Sequence, residues 1–317
     1  MQEPASRPDW IPEATLGPQT PDQASGLSSE VMYVTASDID RFTDDPQRPS
    51  PYEEPDVPNF IHTVLFFLLA FVIVFIGEIA TFAIGRQLPV FRHEDFATLA
   101  SDPRLVIPAQ AAPYLVLLAV VTAAFGALWH RPFWKAIQWN LPTAPRRWIG
   151  LLALGALLGL VSTVGGNYLP MPKDAPILND LMHSPAGAWL MFLFGTTGAP
   201  LVEELAFRGF LLPSLAGVVR RLQERGKISP AAATWIGMPA AILLTSLPFA
   251  LLHSLQVSYA WAPILLIGIV SVALCLVRLQ TRSLAASTLV HATYNFCLFS
   301  GMLIASDGFR HLEKLNN

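Results

Sequence analysis

Charge is scarce in this chain. Asp, Glu, Lys and Arg make up 14% of its 317 residues, against about 25% in soluble domains. With 53% hydrophobic residues and a mean hydropathy of +0.46, that scarcity excludes an ordinary soluble globular fold, and nucleic acid is not an expected partner. Cysteine is scarcer still. The two present, Cys275 and Cys297, each lie inside an apolar segment, where inert buried thiols are expected rather than a disulfide or a metal pair. The first 58 residues lack any long apolar run. They do not read as a secretory signal, so the first membrane segment is expected to be an uncleaved anchor. No internal repeat stands out, which argues against a transporter built from paired halves with matching broken helices.

The chain that remains reads as an all-α polytopic membrane bundle behind a disordered tail. Residues 1–58 are dense in Pro, Ser, Asp and Glu and cannot bury enough apolar surface to offset their ordering entropy. A membrane domain is expected over 59–305 and a short polar tail over 306–317. Seven segments are long enough for a hydrocarbon core that needs about 20 helical residues: 60–84, 111–129, 148–165, 186–212, 231–253, 260–279 and 283–304. An eighth span within 87–108 is the alternative count. The first span carries one acid, Glu78, near its end. Lys and Arg near the span ends favour the loops after spans two, four and six, which places the N-terminus on the cytoplasmic side by the positive-inside rule.

Span four breaks its own apolar pattern. Gly198-Ala-Pro-Leu-Val-Glu-Glu-Leu-Ala-Phe-Arg-Gly-Phe-Leu-Leu212 places two acids and a guanidinium in a membrane segment, each costing about 2.5 to 3.5 kcal/mol at a helix centre. Residues four apart share a helical face, so Arg208 neutralises Glu204, while Glu203 is turned about 100° away and is free to point into a cavity. Proline removes a backbone donor, so Gly195-Thr-Thr-Gly-Ala-Pro200 predicts a kink just before the acids.

Two later spans supply further polar groups at the same spacing of four: Phe249-Ala-Leu-Leu-His253 and His291-Ala-Thr-Tyr-Asn295. Side chains of this kind do not face lipid, so three helices offer polar faces to a shared interior. A carboxylate, two imidazoles and an amide are the parts for activating water and stabilising an oxyanion. Glu203 is the candidate base, the histidines candidate metal ligands or hydrogen-bond donors, and Asn295 a candidate oxyanion donor. The alternative is a non-catalytic scaffold or immunity protein that uses the same polar core for helix packing.

Taken in order, Glu203-Glu204-Leu-Ala-Phe-Arg208, Phe249-Ala-Leu-Leu-His253 and His291-Ala-Thr-Tyr-Asn295 resemble the three motifs of the CPBP intramembrane proteases. That family includes type II CAAX prenyl endopeptidases, bacteriocin-immunity Abi proteins and lysostaphin-resistance proteins. The resemblance covers about residues 185 to 300. It implies a membrane endopeptidase whose site opens within the bilayer, with Glu203 as base, His253, His291 and Asn295 completing the site, and Glu204 with Arg208 supporting it. It also implies a divalent metal, Zn2+, held by His253, His291 and Glu203, although the His-Glu-x-x-His spacing of soluble zinc peptidases is absent. Membrane lipid and a peptide or protein substrate are the implied partners, and CAAX-type chains would make that substrate lipid-modified. The family has one span more than the seven counted here.

Depth raises a conflict. In an unbroken helix from Ala231, His253 lies about 33 Å along, whereas His291 lies about 12 Å into its own span from the same side. A break at Gly237-Met-Pro239, with 229–238 as a separate interfacial piece, is the expected resolution.

Overall fold

The computed structural model describes residues 58–141, 145–172 and 176–315; the acidic tail expected over 1–58 lies almost wholly outside them. Of the described residues 79% are helical and none is in a strand. In order, the helices are α1 Phe60–Gly85, α2 Phe96–Ser101, α3 Pro103–Trp129, α4 Phe133–Ala136, α5 Pro145–Gly166, α6 Pro176–Met182, α7 Pro185–Thr196 and α8 Gly198–Glu204. A π-helical turn, Leu205–Leu211, leads into α9 Leu212–Glu224. The chain continues through α10 Pro230–Ala232, a second π turn Ala233–Gly237, α11 Met238–Leu252, α12 Trp261–Thr281 and α13 Leu284–Ala305.

Seven stretches are long and apolar enough to cross a membrane: α1, α3, α5, the run Pro185–Glu224, the run Pro230–Leu252, α12 and α13. Their outward residues suit lipid, as Leu68 and Phe71 of α1 show at 60% and 68% exposure. The second span is longer than expected because α3 starts at Pro103 rather than Ala111. Asp102 caps it, and Pro103 sits where a missing N–H costs nothing. Pro108 and Pro113 lie inside α3, and the Pro113 ring fills the space beside Gly77 on α1. Residues 87–108 therefore split between α2 and the start of α3 rather than adding an eighth span.

The run Pro185–Glu224 is 40 residues long, about twice what a bilayer needs. Its kink falls at Thr197, between α7 and α8, where the backbone turns to φ −127° and ψ −71°. The break expected at Gly237-Met-Pro239 is not a break. The run Pro230–Leu252 continues through Pro239, and the irregularity is the π turn just before it.

The depth conflict is resolved by register. Gly237 packs directly against Val219 of α9. Glu203 lies 16 residues before Val219 and His253 lies 16 residues after Gly237, so the two arms of this helical hairpin bring both to one level. Helix α13 starts level with the first π turn. Leu284 is fully buried and meets Gly209 of the first π turn, while its N–H donates to the Gln138 carbonyl at 3.0 Å. His291 thus needs to climb only seven residues to reach Glu204.

Helix α13 is held from the other side by α5 through Gly155-Ala-Leu-Leu-Gly159, a small-xxx-small seam of the kind that lets membrane helices approach closely. A Cβ on Gly155 would fall 2.7 Å from both Thr293 Cβ and the Val290 carbonyl oxygen, and one on Gly159 would fall 2.9 Å from Cys297 Cβ. Gly150, on the same helix, has nothing within 4 Å. Replacing a helical glycine by alanine ordinarily gains about 1 kcal/mol. Gly150→Ala should therefore raise or preserve the thermal midpoint of the detergent-solubilised protein, and Gly155→Ala should lower it. Equal shifts would show that the α5–α13 approach does not matter.

Candidate active site

Glu203 and Glu204 end α8 with opposite fates. Glu204 and Arg208 are both fully buried, and Arg208 Nη1 donates to Glu204 Oε1 at 2.8 Å. The same oxygen accepts from His291 Nδ1 at 3.0 Å. Arg208 Nη2 reaches α12, donating to the Ser271 carbonyl at 2.8 Å and to its hydroxyl at 2.6 Å. The Phe249 ring from α11 covers the guanidinium, with its centroid 4.5 Å from Cζ. One ion pair thereby ties α8 to three other helices.

Glu203 points the other way, into a cavity of about 400 Å³ that His253, His291 and Asn295 also line. Its side chain is 24% exposed, with Oε2 4.0 Å from His253 Nε2 and 3.7 Å from His291 Nε2. The tautomers follow from the partners. His253 Nδ1 lies 2.8 Å from the Phe249 carbonyl and His291 Nδ1 lies against the Glu204 carboxylate, both acceptors. Each Nδ1 therefore carries a proton, and each ring turns its Nε2, bare whenever the ring is neutral, toward Glu203 in the cavity. Asn295 spends one amide N–H on the Gly195 carbonyl at 2.7 Å, beside the Thr197 kink. The side chain lines the cavity, and its amide has a second N–H to offer there.

Two bare imidazole nitrogens and a carboxylate converging on one space form a donor set suited to a cation, with each ring oriented through its Nδ1 as in histidine metal sites. The separations from Glu203 are a few tenths of an ångström wider than the roughly 3.4 Å between ligands of a tetrahedral zinc ion. Among the described residues no three His, Cys, Asp or Glu side chains are gathered to ligand distance.

The three motifs thus share one cavity, on one contiguous part of the chain. Residues 185–297 match the family described as type II CAAX prenyl endopeptidase Rce1-like. The Rce1-like segment is a little over a third of the chain and contains all six polar residues of this centre. The family is one of membrane peptidases. No curated protein and no solved structure matches the chain.

Spacing alone did not reveal the supports of the Rce1-like segment. In a π turn the N–H of residue i bonds the carbonyl of i−5, as Leu212 does with Phe207, so neighbouring carbonyls need other donors. The Arg208 carbonyl accepts from Arg278 Nε at 3.1 Å, and the Phe210 carbonyl from the Thr63 hydroxyl at 3.1 Å. Arg278 also donates to Gln138 Oε1 at 2.7 Å and to the Ile137 carbonyl at 3.4 Å, linking the α4 turn to the π turn. No sequence motif marks Arg278, Thr63 or Ser271. The only hint in the chain is a lone arginine ending an apolar run. Arg278→Met should destabilise the protein by about 1 to 3 kcal/mol by leaving buried acceptors without their donor. Arg278→Lys, able to reach fewer of them, should fall between; thermal unfolding in detergent that ranks Lys with Met, or neither below wild type, would count against this role.

Proposed function

We propose that the protein is an intramembrane endopeptidase in which Glu203 activates the attacking water. The observation that carries the reading is the division between adjacent acids: Glu204 is consumed by Arg208 and His291, while Glu203 faces a cavity with two imidazoles. The match to a membrane peptidase family supports it.

The chemistry is hydrolysis. A water held between Glu203 and the imidazoles gives a proton to the carboxylate as its oxygen attacks the peptide carbonyl carbon. The carbonyl oxygen gains negative charge and is met by the second amide N–H of Asn295, a contact worth about 3 to 4 kcal/mol where a single such donor has been removed from other enzymes. Collapse breaks the C–N bond, and Glu203 returns the proton to the leaving amine. Apolar walls, including Phe249, lower the polarity around the charge-bearing step.

Zinc belongs to the same proposal. His253, His291 and Glu203 would hold it, and it would bring the pKa of a bound water to about 7. The substrate is proposed to be a membrane-associated peptide, since Phe194, Ile267, Leu298 and Met302 give the cavity apolar walls. Such walls accept an apolar side chain or a lipid modification.

Membrane proteomes from wild-type and Glu203→Gln cells test the reaction. The variant should insert at normal abundance and lose at least one proteolytic fragment. Matching proteomes with biological function intact would favour the scaffold reading. For the metal, elemental content of purified protein should fall from about one ion per chain to near zero in a His253→Ala, His291→Ala double variant. Wild-type protein with no bound ion at neutral pH would remove zinc from the account.

A further inference from the structure

The cavity is one-sided. From Glu203 it runs to Ser101 at the end of α2, Gln110 in α3, Asp180 and Leu181 in α6, and Gln256 and Val257 just after His253. Gln110, Asp180 and Gln256 are exposed, so this is where the cavity meets the surface. Apart from Gln110, these residues belong to the connections between spans one and two, three and four, and five and six.

The connections of the opposite face contribute nothing to its lining. That end is closed. Glu204 and Arg208 are fully buried behind Glu203, and behind them Phe66, Phe125, Phe133 and Phe210 form one core cluster, each no more than 2% exposed. Phe66 and Phe210 stack at 4.2 Å, and Phe125 meets Phe210 edge-on at 4.9 Å.

Charge distinguishes the two faces. The connections on the closed face, 130–147, 213–229 and 280–283, hold nine Lys or Arg and one acid, Glu224. Those on the open face, 86–102, 167–184 and 253–260, hold three Lys or Arg and five acids. Positive charge near span ends marks the cytoplasmic side.

We propose that the cavity around Glu203 opens to the extracytoplasmic face, and that its substrate is a membrane-anchored polypeptide whose scissile segment lies at that face. The substrate half of this rests on the endopeptidase reading; the sidedness does not. A peptide arriving there meets neutral amides from Gln110 and Gln256 and one acid, Asp180, before reaching Glu203.

Cysteine labelling in intact cells tests the sidedness without reference to activity. Cys275 and Cys297 are replaced by alanine, and Gln256→Cys at the cavity mouth is compared with Lys227→Cys in the exposed basic loop. A membrane-impermeant maleimide should label Gln256→Cys at least ten-fold more than Lys227→Cys in intact cells, and both after permeabilisation. The reverse order, equal labelling, or labelling of neither in intact cells would overturn the proposal. Fragments lost from Glu203→Gln membranes should map to extracytoplasmic juxtamembrane segments, and cytoplasmic cut sites would overturn the substrate half. Expected labelling with no fragment lost would overturn the endopeptidase reading and leave the sidedness standing.

Discussion

The ion pair between Glu204 and Arg208 is the constraint on which the rest depends. Two full charges buried in a membrane segment need partners, and most of their polar atoms find them, Glu204 Oε2 and Arg208 Nε being the exceptions. Here the partners come from Ser271 on α12, His291 on α13 and the Phe249 ring on α11. Satisfying the pair therefore assembles the helices. The π turn that follows Glu204 adds its own demand, because the Arg208 and Phe210 carbonyls take donors from Arg278 and Thr63. Charge satisfaction and backbone satisfaction meet at Arg208, inside the π turn Leu205–Leu211.

Glu203 acquires its character from this arrangement. Its neighbour is locked, so it is the acid that remains for the cavity. The histidine that completes the ion pair also turns its other nitrogen toward Glu203, and the Phe249 that covers Arg208 holds His253 by its carbonyl. Support and chemistry share residues, so substitutions in the two sets will couple rather than add. The α5 seam acts at one remove, setting how closely α13 can lie and hence where His291 and Asn295 stand.

Much of this was legible in the chain. Spacing of four placed Arg208 beside Glu204 and turned Glu203 away, which is how the side chains lie, and glycine and proline marked the kink that falls at Thr197. Helix depth was not legible. Hydropathy reports that a segment crosses, not the level at which it enters, so His253 and His291 looked incompatible until Leu284 was seen against Gly209 and Gly237 against Val219. The predicted break at Pro239 failed for the same reason, because equal hairpin arms remove the need for one. The supports Ser271 and Arg278 were invisible because they answer backbone groups and a guanidinium far away in sequence. The extended α3 was missed because hydropathy marks the apolar stretch and not the cap at Asp102, where the helix starts.

The central claim is that adjacent carboxylates carry separate duties, one chemical and one structural. Thermal unfolding and proteolysis measured together on purified Glu203→Gln and Glu204→Gln proteins test it most directly. Glu203→Gln should lose cleavage with its midpoint nearly unchanged, and Glu204→Gln should lower the midpoint, since a buried guanidinium left without its carboxylate costs about 3 to 5 kcal/mol. Cleavage that survives in Glu203→Gln, or a Glu204→Gln protein as stable as wild type, would contradict the account.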